Sequence, residues 1–262
     1  MDISNEVQAA SVWPVPGGAP PEGSVAWVVG VGARAGTGAA IARRMAKGKL
    51  HVVVTGRTRS KLDLVVKEIE AAGGSASAAV GSASSEDGLA DALAHIDSLD
   101  GLAVAVYNAG GSQWRPSILD MDAAFFEDVW RTNCYGAFLV GREAVARMIG
   151  RGGAVLFTGS ISGILARPKL AAYASAKFGQ RAVAQAMARE FGPRNIHIAN
   201  VIVHGAIDGD RLNNAFPDAK QRRPVDSMVD IDAIAEAYWQ VLMQPRTAWT
   251  HEMDLRPYCE PF

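Results

Sequence analysis

The 262-residue sequence predicts an α/β protein with a doubly wound parallel β-sheet and helices on both faces. Three observations carry this. Short apolar runs alternate with longer segments of helical periodicity along most of the chain. The runs show no polar alternation, which marks strands buried on both faces, as in Val25-Ala26-Trp27-Val28-Val29. A glycine-rich loop, Gly32-x-x-x-Gly36-x-Gly38, joins the first run to the first helical segment.

Taken in order, residues 1–24 carry Pro14, Pro16, Pro20 and Pro21 and read as an extended, loosely packed arm. Residues 25–262 then form one domain, long enough to bury a sizeable core. A strand at 25–29 leads through the glycine loop into a helix from 39, then a strand at 50–54. A helix at 60–72 carries apolar Leu62, Val65, Val66 and Ile69 at helical spacing, and a weak strand follows at 77–80. A helix at 85–96, a strand at 102–106, two helices at 121–131 and 134–149 and a strand from 154 continue the alternation. The Ala-rich helix 173–191, a strand at 196–203, a helix at 231–243 and a last strand near 249–255 complete a Rossmann-type fold.

Composition narrows the function. Hydrophobic residues make up 49% and charged residues 20%, the balance of an ordinary soluble globular protein. A formal net charge of −1 supplies no electrostatic reason for nucleic acid or acidic membranes as partners. No apolar run approaches the ~20 residues of a membrane helix, and the start, with Asp2 and Glu6, lacks a signal-peptide pattern. Two cysteines, Cys134 and Cys259, make neither a disulfide framework nor a zinc site, so a cytoplasmic protein without a bound metal is expected.

Glycines after a buried strand let the backbone turn tightly and approach a ligand, and the amides opening the next helix favour a pyrophosphate. Gly32, Arg34, Gly36, Thr37 and Gly38 are therefore candidate dinucleotide contacts. The second strand ends in Thr55-Gly56-Arg57-Thr58, where readers of NAD place a carboxylate for the ribose hydroxyls. Arg57 and Arg34 suit a 2′-phosphate instead, since guanidinium grips phosphate by charge-assisted hydrogen bonds. NADP(H) is the expected cofactor, with NAD(H) the alternative.

Tyr173 and Lys177 lie four apart and share a helix face, so a phenol stands beside an ammonium. Such a cation favours the phenolate and makes tyrosine a usable acid and base near neutral pH. Ser160, at the end of an apolar strand, is placed to donate to a substrate oxygen.

Ser160, thirteen residues, then Tyr173-x-x-x-Lys177 resembles the catalytic core of the short-chain dehydrogenase/reductase family, and the glycine spacing resembles its Thr-Gly-x-x-x-Gly-x-Gly loop. The resemblance spans about residues 25–257. It implies a tetrad of Asn133, Ser160, Tyr173 and Lys177, with Lys177 also on the nicotinamide ribose and Asn133 holding a relay water. It implies that Asn108, Ala109 and Gly110, in Tyr107-Asn108-Ala109-Gly110, line the cofactor cleft, and that Gly205 and Ile207 meet the nicotinamide end. It places a substrate lid over 205–228, with Trp114, Ile161, His204, Leu212 and Phe216 as candidate substrate contacts. It implies a homodimer or homotetramer through the helices at 134–149 and 173–191.

The sequence departs from the family pattern in places. Val31 replaces a threonine in the loop, Gly81-Ser82-Ala83 replaces an adenine-binding aspartate, and His204 replaces a proline after the sixth strand. The expected activity is hydride transfer between nicotinamide and a ketone or secondary alcohol, hydrophobic or cyclic, with Tyr173 as acid and base. A catalytically weak dinucleotide-binding sensor or scaffold, or an NAD-dependent alcohol dehydrogenase, is the alternative.

Overall fold

The computed structural model describes Trp13 and residues 19–99, 101–111 and 115–261. Most of the expected arm, and Trp114, lie outside the described residues. Trp13 is itself buried against the main core, so at that point the N-terminal stretch is packed rather than loose.

The main sheet has seven parallel strands among the described residues, in the order β3-β2-β1-β4-β5-β6-β9. These are β1 (Val25–Val29), β2 (His51–Gly56), β3 (Ser75–Val80), β4 (Leu102–Tyr107), β5 (Gly153–Ser160), β6 (Ile196–Val203) and β9 (Glu252–Leu255). The helices α1 (Thr37–Lys47), α2 (Arg59–Ala71) and α8 (Ile231–Leu242) pack on one face. On the other lie α3 (Ala90–Leu99), α5 (Gly136–Met148) and α6 (Ala171–Phe191). Strand β1 shows why no alternation is visible in the sequence: Ala26 and Val28 enter one core, while Val25, Trp27 and Val29 enter the other. The order reverses between β1 and β4, and in such sheets the ligand crevice lies outside the strand ends at that reversal.

Three expected elements differ. The helices expected at 121–131 and 134–149 form one rod, α4 (Ala123–Trp130) running into α5 through a wide π-helical turn, Arg131–Tyr135. The helix expected at 85–96 begins at Ala90, because Ser85 Oγ accepts from Gly88 N at 3.1 Å and fixes a tight turn first. The last strand is shorter than expected because Thr250 N donates to Gln244 Oε1 at 2.7 Å, drawing that backbone toward α8.

Within the expected lid, α7 (Asp210–Ala215) lies between two short strands, β7 (Ile207–Asp208) and β8 (Val229–Asp230), which pair in parallel. Val229 N also donates to Ala206 O at 2.7 Å, so the two ends of the lid are fastened to each other.

Candidate active site

The crevice opens on the glycine loop. Gly30 N and Val31 N both donate to Thr55 O, at 2.9 and 3.0 Å, which turns the chain off β1 over the end of β2. A Cβ on Gly38 would lie 2.8 Å from Gly30 O and 2.9 Å from Asn108 Nδ2, so only glycine lets α1 start this close to the strands. Around Gly32, by contrast, a Cβ would meet nothing within 4 Å. Close packing behind, open space in front and helix-start amides beside it fit the pyrophosphate of a dinucleotide.

Asp210 of the lid reaches this loop from the other side. Ala35 N donates to Asp210 Oδ2 at 3.0 Å, and Asp210 N donates to Ala35 O at 2.8 Å. The next residue, Arg211, donates from Nη1 to Gly110 O at 2.7 Å beyond the end of β4. Neither contact was foreseen from the sequence, which offers no local signal for them.

Arg34 lies beside a groove of about 710 Å³ lined also by Ala35, Arg43, Glu68 and Asp210. Its guanidinium is bonded to Glu68 of α2, and Arg43 Nη1 donates to the same carboxylate at 3.3 Å. Arg57 is exposed just past β2. The cations expected for a 2′-phosphate are thus at this end of the crevice, together with Arg43. They come with a carboxylate the sequence reading had not weighed. Thr37 opens α1.

Beyond β4, Asn108 ties three elements. Its Nδ2 donates to Gly30 O at 3.2 Å, and its Oδ1 accepts from Thr158 Oγ1 of β5 at 3.0 Å. Thr158 Oγ1 in turn lies 2.6 Å from Tyr238 Oη of α8. Ala109 packs against Gly30, and Gly110, at φ +137°, leaves no room for a Cβ: one would stand 2.2 Å from Asn133 Oδ1. Asn133 occupies the π-helical turn, fully buried. Its Nδ2 donates to Val129 O at 2.8 Å and its Oδ1 accepts from Gly111 N at 3.0 Å. Tyr107 braces that turn, its buried hydroxyl donating to Thr132 O. Wide turns of this kind recur where a helix must aim one side chain at a site.

Ser160 ends β5, its Oγ accepts from Ser162 N at 3.2 Å, and its hydroxyl acts on the Tyr173 phenol. Tyr173 stands near the start of α6 beside Pro116, Met121, Phe125 and Leu170, mostly apolar neighbours that with Lys169 line a small void. Burial raises its phenol above the ordinary value, against opposing contributions from Ser160, Arg211 and Arg115. Lys177 Nζ lies 5.8 Å from the Tyr173 ring centre and donates to Thr158 O at 2.9 Å and to Gln180 Oε1 at 2.7 Å. Burial, with the nearby Arg211 charge, lowers Lys177 to about 7, with Cys134 opposing. The expectation that Lys177 depresses the phenol is therefore corrected for this state: its ammonium is drawn to the β5 carbonyl and the amide, and burial dominates at Tyr173.

The remaining candidates are scattered. Ile161 begins the turn after Ser160, Gly205 and Ile207 lie at the root of the lid, and Leu212 is partly buried in α7. Phe216 is 61% exposed, so the structure does not bring it into the crevice. His204 is buried beneath the C-terminal segment, its Nε2 3.4 Å from Glu260 Oε1, while the neighbouring Gly205 packs under Pro257. Both ring nitrogens of His204 are buried without a hydrogen-bond partner among the described residues, so the expected substrate contact and a structural role are alike unassigned. Gln180 and Asp210 were not among the expected site residues. Only Gln180 left a trace in the sequence, as an amide three residues past Lys177 in an Ala-rich helix.

Comparison with known proteins points to one family. A family model described as short chain dehydrogenase matches residues 26–220. A short-chain dehydrogenase/reductase of Armillaria gallica is 34% identical over 182 residues, covering 68% of this chain and 69% of its own. The crystal structure of a short-chain dehydrogenase from Rhodopseudomonas palustris superposes with a TM-score of 0.77 at 36% identity, over 91% of this chain and all of that one. A metagenomic short-chain oxidoreductase in complex with NADP gives a TM-score of 0.75 at 26% identity, over 91% and 99% of the two chains.

Proposed function

The chain belongs to the short-chain dehydrogenase family, and we propose that it is an NADP(H)-dependent oxidoreductase acting on a ketone or the matching secondary alcohol, with Tyr173 as general acid and base. The observation that carries this is the convergence of Ser160, Tyr173, Lys177 and Asn133 on the Gly110 end of the crevice.

When bound, the nicotinamide supplies or takes the hydride. The chain's own residues handle the proton and the oxygen. Ser160 orients the substrate oxygen, and Tyr173 gives a proton to it in reduction or removes one in oxidation. Lys177 Nζ lies 5.8 Å from the Tyr173 ring centre and would supply positive charge there when protonated, and Arg211 adds a charge from the lid. The Asn133 side chain bonds Val129 O and Gly111 N and so holds the turn in shape, while its second N–H and second lone pair remain for a relay water. Gly32, Gly36, Thr37 and Gly38 would hold the pyrophosphate, Asn108 to Gly110 the cleft wall, Gly205 and Ile207 the nicotinamide end, and Arg34, Arg43 and Arg57 a 2′-phosphate.

The substrate would rest on apolar Met121 and Phe125, under a lid spanning about 205–228. Arg115 and Arg211 act on the same phenol, which favours a carbonyl compound bearing a carboxylate among the apolar ketones. We propose a cytoplasmic homo-oligomer with an N-terminal arm over 1–24. The oligomer reading is supported by exposed Phe126, Trp130, Phe138 and Phe178 on α4, α5 and α6. Light scattering on the eluting protein tests it, and a monomer at micromolar concentration would end it.

Nicotinamide absorbance with NADPH and NADH, against apolar ketones and keto acids paired with their esters, tests the activity, with Y173F in parallel. Turnover abolished by Y173F supports the proposal. Tight cofactor binding without tyrosine-dependent turnover in either direction supports a sensor or scaffold, a reading favoured by the raised phenol and by Val31 in place of the loop hydroxyl.

A further inference from the structure

Gln180 is fully buried on α6, yet a buried amide is costly unless its groups are bonded. Both ends are. Nε2 donates to Thr158 O at 3.0 Å, and Oε1 accepts from Lys177 Nζ at 2.7 Å, while Nζ donates to the same Thr158 O at 2.9 Å. The orientation of the amide follows from chemistry. A carbonyl oxygen only accepts, so the nitrogen must face Thr158 O, and the oxygen is then left facing the ammonium. Two of the three Nζ directions are thereby fixed, in a ring of three partners closed on β5.

Tying α6 to β5 would need Nε2 alone. A methionine of similar length would fill the space without burying a polar group. What the glutamine adds is an acceptor at 2.7 Å from a lysine that has few other reasons to stay charged. The groups around Nζ from the other elements are Arg211 of the lid, which repels a proton there, Cys134 of the π-helical turn, which favours one, and Tyr173 on its own helix.

We propose that Gln180 is a positioning residue for Lys177: it holds Nζ against β5 and favours its protonated form. This rests on reading Tyr173 and Lys177 as the proton-transfer pair. Thr158 is also where two hydrogen-bond sets meet: its carbonyl takes Gln180 and Lys177, and its hydroxyl donates to Asn108, which in turn donates to Gly30 O.

The test uses the full chain, free of cofactor, labelled with 13C at lysine Cε, with K177M identifying the Lys177 signal. Wild type, Q180M and Q180E are titrated from pH 5.5 to 10.5. Q180M loses the acceptor and should move the Lys177 midpoint down by about one unit, while Q180E puts a carboxylate beside Nζ and should move it up by about one to three. A residue that merely ties two elements together would not move the midpoint in opposite directions. Should Q180M fail to fold, as circular dichroism would show, Q180E decides alone.

A Lys177 midpoint within about 0.3 unit of wild type in Q180E, or shifts of the same sign in both variants, overturns the proposal. Profiles of kcat against pH form the second arm. If wild type turns over, their alkaline limb should shift with the lysine, and a stationary limb removes the role in catalysis. If no carbonyl is turned over while the midpoints separate, the proposed function falls and the control of Lys177 by Gln180 stands.

Discussion

Lys177 makes a demand on folding that can be measured without any substrate. Its ordinary value is 10.5, and burial brings it to about 7 in the folded chain. Between these values the unfolded chain holds a proton that the folded one has shed. Stability therefore rises with pH across that window, and the full penalty is present below it. Linkage then gives a penalty on the order of 5 kcal/mol at pH 6 and roughly 2 kcal/mol at pH 9. K177M removes the titrating group, so the stability of K177M minus that of wild type should be larger at pH 6 than at pH 9, by up to roughly 3 kcal/mol. The acceptors Thr158 O and Gln180 Oε1 favour the charged form and reduce this, though half of it would still be resolved. Urea unfolding of both proteins at equal concentration, followed by tryptophan fluorescence at the two pH values, is the assay. A difference constant with pH to within about 0.5 kcal/mol would refute a strongly depressed lysine.

Three further outcomes are expected. Y173F should lower kcat by about 10²–10⁴-fold while cofactor binding, read by fluorescence titration, stays within a few-fold; unchanged turnover would remove Tyr173 from the chemistry. E68Q should tighten NADP⁺ relative to NAD⁺ by about two- to five-fold, because a carboxylate now paired with Arg34 and Arg43 would no longer oppose a 2′-phosphate. Equal effects on the two dinucleotides would move the phosphate site elsewhere. G110A places a Cβ 2.2 Å from Asn133 Oδ1 at a positive φ, and should cost about 1–3 kcal/mol in urea unfolding as well as most of the turnover. A variant as stable and active as wild type would show that the Gly110–Asn133 contact is not tight.

The strands were readable because burial on both faces leaves an unmistakable run: β1 and β6 cover the residues expected from apolarity alone. Tyr173 and Lys177 were readable because helical spacing is local. The π-helical turn at Arg131–Tyr135 was not, since nothing in the sequence marks a turn that Tyr107 braces from β4, another strand of chain altogether. Arg34 was readable as a cation but not as one already paired with Glu68, 34 residues away. The position of the Lys177 ammonium was likewise set by Thr158, on β5, and by Gln180, whose oxygen matters only once the helix is laid against that strand. Spacing brought the phenol and the amine to one helix face; tertiary acceptors then decided which way the amine leaned.

Asp210 and Arg211 are neighbours in the chain, yet one grips the glycine loop and the other the end of β4. Two adjacent residues therefore span the two banks of the crevice like a single stitch. If a dinucleotide lies along the crevice as proposed, it meets that stitch, and the segment the stitch holds is the expected lid over 205–228. Cofactor arrival and substrate admission then become one mechanical event. Steady-state kinetics should accordingly be strictly ordered, the dinucleotide entering first and leaving last.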